Sequence, residues 1–86
     1  MYSVELSREA RQFYERCDRP VAHKLTRCFE ALEADPRGGN NVKRLTGNLA
    51  GMYRYRVGDL RVVYVINDAK VTVFVVTIAK RSDVYE

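Results

Sequence analysis

Three arginines stand close together in the C-terminal half of the chain, at a spacing that places them on a β-sheet. Arg54 and Arg56 alternate within the run Met52–Val57, and Arg61 follows a Gly-Asp dipeptide. Because side chains alternate between the two faces of a strand, Arg54 and Arg56 share one face. Guanidinium groups donate paired hydrogen bonds to phosphate or carboxylate oxygens. We therefore interpret the sheet surface at or near these arginines as a candidate anion-binding surface.

Three β-strands and two tight turns position these arginines. The dipeptide Gly58-Asp59 suits a hairpin turn that needs positive φ, so Met52–Val57 and Leu60–Asn67 are predicted to pair. A second turn at residues 68–70 leads to a third strand, Val71–Ile78. That strand is apolar on both faces, which predicts a central strand covered on both sides.

In the N-terminal half, a short stretch of alternating apolar and polar residues precedes two segments with helical periodicity. Tyr2–Leu6 reads as a short strand, and Ser7 is a suitable N-cap for a helix with apolar residues at i, i+3, i+4 and i+7. Asp18 and Pro20 suit the start of a second helix that runs to about Ala34. The sequence therefore predicts one α+β domain over residues 1–86, in the order β-α-α-β-β-β. A two-helix hairpin would pack on a small, mostly antiparallel four-stranded sheet.

The charge of the chain is unevenly distributed. The formal net charge is +4, and the segment 44–81 carries seven basic residues against two acidic ones. The sheet half thus holds more than the whole net charge, whereas the helical half is nearly balanced. Such a field favours nucleic acid or an acidic protein as the partner.

Several kinds of chemistry are excluded by composition. Cys17, Cys28 and His23 are the only cysteines and histidine, too few for a zinc site or for a Ser-His-Asp or Cys-His relay. We predict buried free thiols, and neither a metal nor a cofactor. No apolar run approaches the roughly 20 residues of a membrane span, and no signal peptide is evident. We expect a cytoplasmic protein.

Three segments together resemble the RelE/ParE toxin superfamily over essentially the full chain. They are Leu45-x-Gly47, the run Tyr53-Arg-Tyr-Arg-Val-Gly-Asp-Leu-Arg-Val-Val-Tyr64, and Lys80-Arg-Ser-Asp-Val-Tyr85. The pattern is most similar to the RelE branch, whose members have the RelE-like microbial RNase fold. Members of that branch enter the A site of the 30S ribosomal subunit and cut messenger RNA.

The resemblance implies a cleavage mechanism and assigns residues to it. The 2′-OH of one nucleotide would attack the adjacent phosphate, with release of a 5′-OH end. The matching catalytic positions are filled by Arg54, Arg56, Arg61, Arg81 and Tyr85. Tyr85 would act as base, orient the 2′-OH or stack on a nucleotide base. Further contacts to RNA or the ribosome fall to three basic residues, Lys43, Arg44 and Lys80.

The chain departs from the best-known RelE pattern at the first two basic positions. That pattern has lysines where this chain has Arg54 and Arg56. An arginine does not readily deprotonate, so these residues would hold and neutralise phosphate rather than act as a base. The segment between Arg81 and Tyr85 is also shorter, and no helix follows it.

Other interpretations of the same residues stay open. The arginines could form a solvated strand face that prevents aggregation. The ParE branch shares the scaffold but poisons DNA gyrase without nuclease chemistry, and an inactive toxin could serve only to bind its antitoxin. Either toxin branch implies a cognate antitoxin with a largely disordered segment, and contact with operator DNA only through that antitoxin.

Overall fold

Two α-helices and five β-strands follow one another in residues 1–80, the part of the chain that the computed structural model describes. The strands are β1 (Ser3–Leu6), β2 (Val42–Arg44), β3 (Tyr53–Val57), β4 (Leu60–Asn67) and β5 (Thr72–Lys80). The helices are α1 (Arg8–Arg16) and α2 (Arg19–Ala34), and a single 3-10 turn covers Gly47–Leu49. The predicted α+β fold is confirmed.

Each helix begins directly after a residue whose side chain caps it, Ser7 for α1 and Asp18 for α2. The Ser7 hydroxyl accepts a hydrogen bond from the Ala10 backbone N–H at 3.0 Å, and the Asp18 carboxylate accepts one from Val21 at 3.0 Å. Ser7 Oγ also donates to the Val76 carbonyl at 2.6 Å, so this cap fixes α1 against β5. Both predicted N-caps are confirmed.

The five strands form one sheet in the order β1-β5-β4-β3-β2. β1 runs parallel to β5, while the other neighbours are antiparallel. Both helices cover one face, where the buried core combines residues from α1 and α2 with residues from β4 and β5. Its members are Ala10, Leu25, Cys28, Leu32, Leu60, Val62, Tyr64, Val73, Val75 and Ile78.

The predicted count of four strands is wrong by one. β2 adds a fifth strand at the edge, where Leu45 N–H donates to the Met52 carbonyl at 2.9 Å and Arg56 N–H to Asn41 at 3.0 Å. Three residues are too few to show the alternation that identifies a strand in a sequence. This strand therefore depends on pairing with β3 rather than on its own pattern.

The third predicted strand also differs from the observed β5. Its predicted first residue, Val71, belongs to the preceding turn with φ of +49°, a conformation that excludes it from a regular strand. β5 is an inner strand, as predicted, but it is not covered on both faces. The Phe74 side chain is 39% exposed because the helices cover only the opposite face.

Two contacts join the loop after α2 to the sheet. The buried Tyr64 hydroxyl donates to the Pro36 carbonyl at 2.6 Å. Burial raises the pKa of Tyr64, so its phenol stays a protonated donor. At the surface, the two Nη atoms of Arg37 donate to the two carboxylate oxygens of Asp68 at 3.0 and 2.8 Å, and Tyr2 Oη donates to the same carboxylate at 2.7 Å.

Replacement of Tyr64 by phenylalanine is expected to destabilise the fold. The Pro36 carbonyl would lose its buried donor, which costs about 1–3 kcal/mol. The melting temperature should therefore fall by about 4–8 °C for each kcal/mol of stability that is lost. Tyr55→Phe is the matched control, because the Tyr55 hydroxyl makes no hydrogen bond to any of residues 1–80. Equal melting temperatures for the two variants would contradict the structural role of the Tyr64 hydroxyl.

The Arg37–Asp68 contact predicts a pH-dependent contribution to stability. Hydrogen bonds from Arg37 and then from Tyr2 hold the pKa of Asp68 below its usual range. The carboxylate therefore stabilises the fold above the unfolded pKa of about 3.9, and this contribution is lost as pH falls through the folded pKa. At pH 7 the melting temperature of Asp68→Asn should lie below that of the wild-type protein. Below about pH 3 the two melting temperatures should coincide. A difference that persists at low pH would argue against the ion pair.

Candidate active site

The β3–β4 pairing brings the three predicted arginines of the sheet together. Arg56 lies directly opposite Arg61, and Arg54 lies opposite Val63. The neighbouring pair, Val57 and Leu60, marks the helix-covered side, because Leu60 belongs to the buried core. Since alternate residues point to opposite faces, the arginines lie on the face away from the helices. We call this surface, carrying Arg54, Arg56 and Arg61, the open face.

The three guanidiniums differ in their exposure. Arg54 and Arg61 are only 8% and 6% exposed, whereas Arg56 is exposed. Arg54 Nη1 lies 3.4 Å from the Asn41 carbonyl, which accepts its hydrogen bond. Charges in such partly desolvated positions act more strongly on a nearby anion than charges in bulk water. The open face thus combines two anchored cations with one that is accessible to solvent.

The remaining basic residues predicted for RNA binding divide between the two faces. Lys43 lies opposite Arg54 in the β2–β3 pairing, so it joins the open face. Arg44 lies opposite Tyr53, and Lys80 lies opposite the core residue Leu60. Both therefore lie on the helix-covered side of the sheet, exposed at its margins. The structure does not bring Arg44 and Lys80 together with the arginines.

Two predicted catalytic residues, Arg81 and Tyr85, lie outside the described residues, so their roles stay predictions. A contact that the sequence did not predict comes from Asn41, whose backbone carbonyl binds Arg54. Asn41 follows a loop rich in glycine and asparagine, and a main-chain acceptor leaves no signature in side-chain identity. Only the register of β2 against β3 reveals it.

Metal-assisted chemistry has no evident ligand set in the described part of the chain. No group of three or more His, Cys, Asp or Glu side chains within residues 1–80 could hold a metal ion. Burial raises the pKa of the Cys28 thiol to about 12, so it is an unreactive core residue at neutral pH. In the same residues no helix is both long and apolar enough to cross a bilayer.

Arg56 and Arg61 place two positive charges directly opposite each other on β3 and β4. Like charges directly opposite each other on neighbouring strands are destabilising. Arg56 forms no ion pair with an acidic residue of the segment 1–80, where the salt bridge that occurs is Arg37–Asp68. The paired donors of a guanidinium match the oxygens of a phosphate.

Comparison with known proteins places the chain in a family. The family model described as "ParE toxin of type II toxin-antitoxin system, parDE" matches residues 4–85. The chain belongs to the ParE toxin family. This ParE-family protein is thus a toxin of a type II toxin–antitoxin system, and the predicted membership of the RelE/ParE superfamily is confirmed. Among curated protein sequences, none matches it.

Solved structures show that the toxin shares its fold with both named branches of the superfamily. A chain of the RelBE2 toxin–antitoxin complex from Mycobacterium tuberculosis is 25% identical with a TM-score of 0.80, covering 93% of this chain and 98% of that one. A chain of the RelE–RelB complex from Pyrococcus horikoshii is 22% identical with a TM-score of 0.81, and the match covers 96% of this chain and 98% of that one. A YoeB/ParE toxin from Agrobacterium tumefaciens is 19% identical with a TM-score of 0.81, and the match covers 91% of this chain and 96% of that one. At the last two identities the similarity concerns the fold alone.

The repulsion on the open face of this ParE-family toxin predicts a stabilising substitution. Arg56→Thr removes one of two opposed charges and introduces a residue that favours strands, so the free energy of unfolding should rise by about 0.2–1 kcal/mol. Thermal unfolding at low salt measures the change. Arg44→Thr is the matched control, because Arg44 is a strand arginine that lies opposite Tyr53 rather than a cation. If the two variants change stability equally, the opposed charges are not the cause.

Proposed function

We propose that this toxin is a ribosome-dependent endoribonuclease that cleaves messenger RNA in the A site and so inhibits translation. The observation that carries the proposal is the convergence of Arg54, Arg56 and Arg61 on the open face. Arg56 lies directly opposite Arg61, and the side chains of Arg54 and Arg61 are almost buried on the same face. Such an arrangement is expected where a phosphate must be held and its developing charge neutralised.

The reaction would proceed by attack of a 2′-OH on the adjacent phosphate. The new P–O2′ bond would form as the P–O5′ bond breaks, leaving a 2′,3′-cyclic phosphate and a 5′ oxygen that takes up a proton from solvent to become the 5′-OH end. Arg54 and Arg61, held by the sheet, would bind non-bridging oxygens and stabilise the pentacoordinate oxyanion. Arg56 would approach the same group from the solvent side. Because guanidiniums do not readily deprotonate, the base must be another group, and Tyr85 is our candidate. Arg81 would add a further cation near the leaving oxygen.

A cognate antitoxin and the ribosome would be the partners of this toxin. Two of the similar structures are toxin–antitoxin complexes, which supports an antitoxin partner here. That antitoxin would neutralise the toxin by covering the open face. Lys43, which shares this face, would contact RNA beside the cleaved phosphate. Since translation provides the substrate, we place the protein in the cytoplasm.

Cell-free translation followed by primer extension on the message tests the proposal. The wild-type toxin should produce ribosome-dependent cuts at A-site codons. Loss of one preorganised electrostatic donor typically costs about 10²–10³ in rate, so Arg56→Ala combined with Arg61→Ala should abolish detectable cleavage. Arg8→Ala combined with Arg11→Ala is the matched control, because it removes two exposed arginines from α1.

Two results would refute the nuclease assignment. One is an intact message in the presence of folded wild-type toxin and actively translating ribosomes. The other is equal cleavage by the open-face variant and the α1 control. Circular dichroism on each protein ensures that a loss of cutting is not a loss of folding.

Inhibition of DNA gyrase is the second candidate function. The family match, which is to the ParE toxin family, favours it. A supercoiling assay on the same purified protein distinguishes the two functions. Gyrase inhibition together with an intact message would assign the toxin to the gyrase-poisoning class, and neither activity would leave an antitoxin-binding module.

A further inference from the structure

A groove lies along the C-terminal half of β5, next to the open face. It has a volume of about 600 Å³, which is within the range of small-molecule sites. Residues 76–80 of β5 line it, together with residues of α1 and of the segment that precedes β3. The latter are Glu9, Phe13, Leu49 and Met52. We call it the β5 groove.

The β5 groove adjoins the arginines of the open face. Val63 alternates with core residues on β4, so its side chain belongs to the open face, and it lines the groove. It stands opposite Arg54 in the β3–β4 pairing. Ala79, which also lines the groove, stands opposite Arg61 in the β4–β5 pairing. Neighbouring strands lie about 4.8 Å apart, so the groove begins one strand spacing from the strands that carry these arginines.

The lining of the β5 groove is mostly apolar, with one carboxylate fixed against β5. Thr77 Oγ1 donates a hydrogen bond to Glu9 Oε1 at 3.1 Å, and both residues line the groove. Glu9 forms no ion pair with any of residues 1–80, where Arg37–Asp68 is the salt bridge that occurs. A carboxylate has about four lone-pair sites, so Glu9 can accept further hydrogen bonds from a ligand.

A carboxylate beside apolar walls suits a nucleobase. It would repel a phosphate, and an apolar peptide segment would offer it no side-chain donor. A base packs its faces against apolar or aromatic side chains, while its Watson–Crick edge is read by hydrogen bonds. Because base and phosphate of a nucleotide are joined through one sugar, an RNA strand with a phosphate on the open face would bring a base to the adjoining groove.

We propose that the β5 groove binds a base of single-stranded RNA, and that Glu9 selects bases with an amino group on the Watson–Crick edge. The choice of RNA rests on the function proposed above. Cytosine presents its N4 amino group as a donor to a carboxylate, whereas uracil carries a carbonyl oxygen at the same position. Glu9 is then a specificity-determining residue, and Thr77 positions it. Neither touches the phosphate that reacts.

The comparison of cytosine with uracil tests this site, because the two bases have nearly the same size. Fluorescence anisotropy with labelled oligocytidine and oligouridine of about 12 nucleotides gives the two dissociation constants at neutral pH. The wild-type toxin should bind oligocytidine about 5–10-fold more tightly. Glu9→Leu should remove most of that difference.

Glu15→Leu is the matched control, because it removes another exposed carboxylate from α1 and should keep the wild-type ratio of constants. Both leucine variants change the net charge equally, and a ratio of two constants is insensitive to that change. Thr77→Val removes the hydroxyl that positions Glu9 and should reduce the preference for cytosine. Matching melting temperatures ensure that folding is not compared instead.

A modified RNA tests the same contact on the wild-type toxin, without any substitution in the protein. Oligomers of N4,N4-dimethylcytidine keep the pyrimidine ring but lack the amino donor. They should bind no more tightly than oligouridine. Binding as tight as that of oligocytidine would overturn the role of Glu9.

Other results would also overturn the proposal. They are equal binding of the two natural oligomers by the wild-type toxin, and an unchanged ratio in Glu9→Leu. An unchanged ratio combined with weaker binding of Glu9→Leu to the cognate antitoxin would assign the groove to a protein segment. An unchanged ratio combined with a wild-type dimer that Leu49→Glu dissociates would assign it to a second copy of the chain.

The outcome is independent of whether the toxin is a nuclease. A cytosine preference that Glu9→Leu abolishes, combined with no cleavage by the wild-type toxin, would support the base site and refute the nuclease. Cleavage by the wild-type toxin without any base preference would refute the site and leave the nuclease intact.

Discussion

The register of the β3–β4 hairpin is the constraint on which both faces of this sheet depend. Gly58 takes φ of +57° in a two-residue loop, a conformation that glycine adopts without strain. The loop fixes Val57 opposite Leu60 and Arg56 opposite Arg61. A slip of one residue would turn the arginines toward the helices and the core residues toward solvent. One tight turn thus separates the hydrophobic core from the cationic surface.

Tyr64 links the core to the segment that leads from α2 to the edge strand β2. Its ring packs in the core and stacks on Tyr53 with centroids 5.7 Å apart, while its hydroxyl binds the Pro36 carbonyl. The Arg37 guanidinium lies 5.9 Å from the centre of the Tyr53 ring and also pairs with Asp68. These contacts hold the segment that leads from α2 into β2. They thereby support Asn41, whose carbonyl binds Arg54 on the opposite face.

The sequence was informative wherever a local rule determined the structure. Ser7 and Asp18 are caps because their side chains reach the free N–H groups of the first turn, and the Gly58 turn follows from its φ. The positions of Arg54, Arg56 and Arg61 follow from strand alternation around that turn. A sequence therefore suffices to place these three residues on one face. It does not show that two of them are buried, because burial depends on what covers the strand.

Lys80 shows where alternation fails. Val73 and Val75 face the core, and strict alternation from them would bring Lys80 to the open face. The β4–β5 register shifts between Val63 and Tyr64, so that Ile78 returns to the core and Lys80 pairs with Leu60. A bulge reverses the face of every later residue in the strand. It has no clear signature in a run of valines, and neither has β2, whose three residues are defined by their partner.

The fold alone does not decide which target this toxin attacks. The same scaffold carries proteins named RelE, YoeB and ParE, so the difference must lie in side chains placed on it. Like charges directly opposite each other on neighbouring strands are a feature that folding alone does not require. Their presence is explained if the open face must hold a phosphate.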